Sequence, residues 1–137
     1  MKLIEKYQHE GEGYNPFLIR EGWQVARLNH MSGQGVNDIQ KVDVHWKTDE
    51  VFILIAGTAV LIAAEVQGEN VIFEMISMQQ GIVYNIPVGV WHNIAMLEDA
   101  QVIIVEKDET HLGNSDFYYL NEAQKESLNQ QIISALK

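Results

Sequence analysis

Four side chains in this sequence have the types and spacing that could hold a divalent cation: Asp43, His45, Glu50 and His92. Asp43 and His45 stand two residues apart, and side chains two apart share one face of a β-strand. Glu50 opens the apolar run Val51 to Ala56, so it shares a face with Phe52 and Leu54. His92 shares one with Ile94 and Met96. If these faces turn into one barrel, a carboxylate and two imidazoles meet in an apolar interior. An isolated buried carboxylate is costly unless it is paired, coordinated or protonated. A divalent ion resolves that cost for the whole group, and two His with a carboxylate and open positions suit non-haem iron(II) and related divalent metals.

The elements that must position these residues read as β-structure. Apolar or alternating runs of four to eight residues recur at short intervals, the pattern of a sandwich or barrel. Strands are expected at Trp23 to Asn29, Ile39 to His45, Val51 to Ala56, Ala59 to Val66, Val71 to Ser77, Val83 to Ile86, Trp91 to Leu97 and Val102 to Glu106. Gln67-Gly68-Glu69-Asn70 reads as a hairpin loop and Glu98-Asp99-Ala100 as a second tight connection. The C-terminal segment changes period. Asn121 and Gln124 have the spacing of an N-cap and its return partner. Leu128, Ile132 and Leu136 then recur every four residues, which predicts a helix over Glu122 to Ala135 packed on the β-domain or on a partner subunit. The first 20 residues carry the weakest pattern.

Composition narrows the function classes. The chain has 137 residues, 47% of them hydrophobic, which fits one domain with a core and excludes intrinsic disorder. Nine Lys and Arg against 19 Asp and Glu leave a net charge of 9 − 19 = −10. That disfavours partners rich in phosphate, whether nucleic acid or an anionic membrane. The absence of cysteine excludes disulfide scaffolds, thiolate metal sites and Cys nucleophiles. No apolar signal-peptide core opens the sequence, and Val51 to Ala64, the longest mainly apolar run, falls short of the ~20 residues of a membrane span. A soluble, cytoplasmic protein is expected.

The spacing of these residues resembles the cupin superfamily, small jelly-roll barrels with two sequence motifs. The first motif has the form G-x5-H-x-H-x3-4-E-x6-G, and His45, Glu50 and Gly57 match its second half. The second has the form G-x5-P-x-G-x2-H-x3-N, and Gly81, Pro87, Gly89 and His92 match at the family spacing. Together the motifs span about half the chain, and residues 58 to 80 between them are short, as in compact bacterial cupins. Three positions depart from the pattern: Asp43 stands in the first His slot, Asn37 where the opening Gly would fall, and Met96 where the closing Asn would fall.

The resemblance implies an all-β, double-stranded β-helix barrel over residues ~20–107, with a C-terminal strand and helix over ~117–136, all in one domain. It implies His45, Glu50 and His92 as metal ligands. Asp43 is either a fourth ligand, binding through oxygen, or a partner of Lys41 on the same face. Two carboxylates would neutralise a divalent ion and favour harder ions. Fe, Mn, Ni or Zn are the candidates. Lys41, Phe52, Tyr84 and Met96 are expected around the substrate pocket, Lys41 as a rim charge or a clamp for an anion. Gly57, Gly81, Pro87 and Gly89 read as structural. Trp91 alternates away from His92 and belongs outside the barrel, and His9, His30 and His111 read as surface residues. The function implied is a metal-binding protein acting on a small polar organic molecule, by dioxygenase, isomerase or lyase chemistry. The alternative is a small-molecule-binding cupin without catalysis, its metal site weakened or lost. A homodimer is expected, because pairing covers exposed sheet edges.

Overall fold

The computed structural model describes residues 3–137, the His111 side chain excepted. Ten strands form in chain order: β1 (Gly13–Arg20), β2 (Trp23–Asn29), β3 (Lys41–His45), β4 (Glu50–Ala56), β5 (Ala59–Gln67), β6 (Asn70–Ser77), β7 (Val83–Ile86), β8 (Trp91–Met96), β9 (Gln101–Glu106) and β10 (Ser115–Tyr119). A 3₁₀ turn (Thr110–Leu112) precedes β10, and the helix α1 (Glu122–Ala135) follows it. The strands pair antiparallel in two five-stranded sheets. Sheet A has the order β1-β2-β9-β4-β7 and sheet B the order β10-β3-β8-β5-β6.

The inner faces of the two sheets enclose one core. Ala26 and Leu28 from β2, Phe52 and Leu54 from β4, Ala59 and Leu61 from β5, Ile94 and Met96 from β8, and Val102 and Ile104 from β9 pack together there. This is the result of period-2 alternation: on β4, Glu50, Phe52 and Leu54 are buried while Val51 and Ile53 are not. A second core lies on the outside of sheet B. Val60, Ile62 and Ala95 meet Leu128 and Ile132 of α1 across it. The helix therefore lies against the outer face of sheet B. It starts where its capping box dictates: the Gln124 backbone N–H donates to the Asn121 side chain, and the Asn121 N–H donates to the Gln124 side chain, both at 2.8 Å.

Two turns show why particular residues stand in them. Gln67 pairs with Asn70, so Gly68-Glu69 is a two-residue hairpin loop, and Gly68 takes a positive φ of 62°. Gly57, at φ 74°, passes the β8–β9 turn so closely that a Cβ would lie 2.5 Å from the Asp99 carbonyl.

The barrel extends beyond residues ~20–107 at both ends. The barrel begins at Gly13, because β1 pairs along β2 with a register shift between Asn15 and Leu18. It also takes in β10, which pairs with β3 from Ser115↔His45 to Tyr119↔Lys41. Trp91 does face away from the lumen, edge-on to Trp46 and Tyr118. No helix among the described residues is long and apolar enough to cross a membrane.

Candidate metal centre

Both sheets contribute to one cluster at one end of the lumen. Sheet B supplies Asp43 and His45 from β3 and His92 from β8, with Asp43 and His92 directly paired across the strands. Sheet A supplies Glu50 from the start of β4. The turn before His92 is tied to the turn before Glu50. The Gly89 N–H donates to the His45 carbonyl at 2.9 Å. Asp49 accepts from the Val88 N–H at 2.9 Å and from the Asn85 side chain at 3.1 Å. Pro87 supplies a fixed φ within that turn and Gly89 a positive one, 81°, so the two motif segments close on each other.

The donor atoms converge. His92 Nε2 lies 3.2 Å and His45 Nε2 3.5 Å from Glu50 Oε1. Asp43 Oδ2 is 3.9 Å from His45 Nε2 and 4.0 Å from His92 Nε2. Ligands about 2.1 Å from a common ion stand roughly 3–4 Å apart, so these separations fit one cation. The tautomer agrees. His92 Nδ1 is 2.9 Å from the Val90 carbonyl, which can only accept, so the proton sits on Nδ1 and a neutral ring turns the Nε2 lone pair to the cluster. The close contact of Nε2 with Glu50 then requires either a second proton or a cation between them. His45 Nδ1 is buried and has no hydrogen-bond partner.

The electrostatics of the metal-free cluster carry the same message. Burial pushes His92 down, but its hydrogen bond and charge contact with Glu50 outweigh this and raise it to about 9. Burial pushes Glu50 up, and the two imidazoles more than reverse it, to about 2. His45 is raised: burial opposes the shift, and the Glu50 hydrogen bond overcomes it. Asp43 is raised by burial, against the pull of His92. The cluster thus holds protons where a cation would sit.

A cavity of about 400 Å³ opens beside it. Lys41 and Phe52 line this cavity, with Leu28, Ile94, Ile104 and Phe117. The Lys41 ammonium lies 4.0 Å from the Phe117 ring centroid and forms no ion pair with Asp43. Tyr84 and Met96, expected at the pocket, lie elsewhere. Met96 is on the same face of β8 as His92 but four residues further along it, within the sealed core. Tyr84 accepts the Gln79 N–H through its hydroxyl and lines a different hollow with Leu61, Glu74 and Ile86. His9 and His30 are partly exposed and join neither donor group, and the expectation for His111 concerns a side chain outside the described residues.

Sequence reasoning missed Glu106. It is 7% exposed, pairs across the strands with Glu50, and has a donor atom within 4.8 Å of those of His45 and Glu50. Burial, then the charge of Glu50, raises it to about 7. Its signal was present: Val102, Ile104 and Glu106 alternate on one face, so two core residues lead to a carboxylate at the strand end.

A two-sheet antiparallel barrel with a His, Glu and Asp cluster inside its mouth defines a jelly-roll protein with a candidate metal centre. Solved structures place it more closely. A cupin-2 domain containing protein from Shewanella frigidimarina is 27% identical, with a TM-score of 0.49 over 74% of this chain and 84% of that one. An RmlC-like cupin with a double-stranded β-helix fold from Methanocaldococcus jannaschii is 14% identical, with a TM-score of 0.56 over 82% of this chain and 97% of that one. A cupin protein from Bacteroides fragilis is 16% identical, with a TM-score of 0.53 over 80% and 87%. No family model matches the sequence, and no curated protein is similar to it. The latter two likenesses show the fold: the chain has the double-stranded β-helix architecture of these cupin structures.

Proposed function

We propose that the chain binds one divalent metal ion through His45, Glu50, His92 and Asp43 and acts on a small polar organic molecule held in the adjoining cavity, by dioxygenase, isomerase or lyase type chemistry. The observation that carries this reading is the convergence of two imidazole nitrogens and two carboxylate oxygens, from both sheets, at separations of 3.2 to 4.0 Å. A bound ion supplies Lewis acidity or oxygen activation. The chain's own residues do the rest. Val90 holds the His92 proton on Nδ1. Leu28, Phe52, Ile94 and Ile104 give the cavity an apolar wall. Lys41, held over Phe117, places a positive charge there for an anionic group of the ligand. A homodimer goes with this reading, since edge strands β6 and β7 expose Ile72, Ile76 and Val83.

The test is elemental analysis of protein purified without chelators, beside His92→Ala. Stoichiometric Fe, Mn, Ni or Zn in the first and none in the second is the expected result. No metal in either, even after reconstitution, would sink the reading. One observation favours the second reading, a binding module without catalysis: Asp43 stands further from both imidazoles than Glu50 does. Metal-loaded protein that binds small hydroxy acids in a thermal-shift assay and turns none over would select it.

A further inference from the structure

Beside the four candidate ligands stands a buried carboxylate with one oxygen tied and the other bare. Glu106 Oε1 accepts the Tyr14 hydroxyl at 2.6 Å and the Gln24 side-chain amide at 3.3 Å. Gln24 is fully buried; its amide also donates to the Tyr14 hydroxyl at 2.9 Å, and its carbonyl accepts the Glu109 N–H at 2.9 Å. This network fixes the carboxylate plane. Glu106 Oε2 is buried with no hydrogen-bond partner, and no lysine or arginine among the described residues forms an ion pair with Glu106. Such a group is costly in a folded protein unless a proton or a cation meets it. Glu50, opposite on the next strand, is a second negative charge and makes the demand larger.

The donor atoms form two overlapping trios that share one residue: Asp43, His45 and His92, and His45, Glu50 and Glu106. Resting on the metal-binding reading above, we propose that Glu106 is a fifth ligand of that cation, and that three carboxylates with two imidazoles favour six-coordinate ions such as Mn²⁺ or Fe²⁺ over four-coordinate Zn²⁺. Zn²⁺ is satisfied by four ligands, whereas Mn²⁺ takes six with a preference for oxygen. A fifth, carboxylate donor therefore adds more to Mn²⁺ affinity than to Zn²⁺ affinity. Tyr14 and Gln24 are positioning residues, which act by holding the carboxylate whose donor atom lies within 4.8 Å of those of His45 and Glu50.

The test is isothermal titration of the full chain with Mn²⁺ and with Zn²⁺, for the wild type, Glu106→Gln, Tyr14→Phe and His92→Ala. Glu106→Gln is isosteric, and circular dichroism with a melting curve reports whether it folds. The expected result is Mn²⁺ affinity about tenfold or more weaker in Glu106→Gln, with Zn²⁺ affinity changed by less than about threefold. Tyr14→Phe, which frees the tied oxygen without removing the carboxylate, should weaken Mn²⁺ by a smaller factor in the same direction and serves if Glu106→Gln does not fold. Unchanged Mn²⁺ affinity in both variants, or equal losses for the two ions, overturns the assignment of Glu106. If His92→Ala loses the ion and Glu106→Gln keeps full Mn²⁺ affinity, this inference alone fails. A wild-type chain that takes up neither ion overturns both readings.

Discussion

The two ends of the barrel lumen are built by the same strands with opposite chemistry. Along β4 the inner face reads Leu54, Phe52, Glu50; along β8 it reads Met96, Ile94, His92; along β9, Val102, Ile104, Glu106; along β2, Leu28, Ala26, Gln24. The registers align these steps: Leu54, Phe52 and Glu50 face Val102, Ile104 and Glu106, which in turn face Leu28, Ala26 and Gln24. Each strand changes from apolar to polar at the same level. The apolar end stabilises the fold by burying side chains. The polar end desolvates charge, which works against stability, and gathers the candidate metal ligands. Protein sites of this kind keep function at a cost in stability.

Replacing a residue at each level separates the two roles. Leu54→Ala at the apolar end should destabilise by about 2–5 kcal/mol in a urea titration. It should leave metal uptake by the folded protein unchanged, and a folded variant that no longer binds metal would break the division. The polar end should answer to pH. In the metal-free protein Glu106 sits at about 7 and His92 at about 9, each above its ordinary value. Both groups therefore bind more protons folded than unfolded, and the stability they contribute falls as pH rises from the ordinary carboxylate range through 9. Glu50, lowered to about 2, contributes stability above the ordinary carboxylate range and loses it as pH falls toward 2. Melting curves of chelator-treated protein should therefore decline from pH 6 to 9. Metal affinity should climb over the same interval, because the ion displaces protons. A flat melting profile would mean that Glu106 and His92 bind no more protons in the folded than in the unfolded chain. The smallest effect belongs to neither end. Asn121→Ala removes the helix cap, should cost about 1 kcal/mol, and should leave metal affinity as it is.

Much of this was legible in the sequence because period-2 alternation is a local signal. It placed Asp43 with His45, Glu50 with Phe52, and His92 with Ile94 on inward faces, and the capping box placed the first turn of α1. What alternation cannot tell is depth. Met96 shares the face of His92, but four residues at about 3.3 Å each carry it some 13 Å down the strand, past the cavity. Tyr84 sits opposite Phe52, yet on edge strand β7, where another hollow opens. Strand β1 escaped notice because its pattern breaks at Pro16, within a register shift that an edge strand tolerates. Glu106 was hidden by its distance in sequence from both motifs; only the β4–β9 pairing brings it beside Glu50.

The cluster draws its imidazoles and Asp43 from one sheet and Glu50 from the other. An ion seated there would act as a rivet across the seam of the barrel. The sheets could not part without tearing its coordination bonds, so the same contacts that would make the site reactive would also slow the opening of the whole molecule.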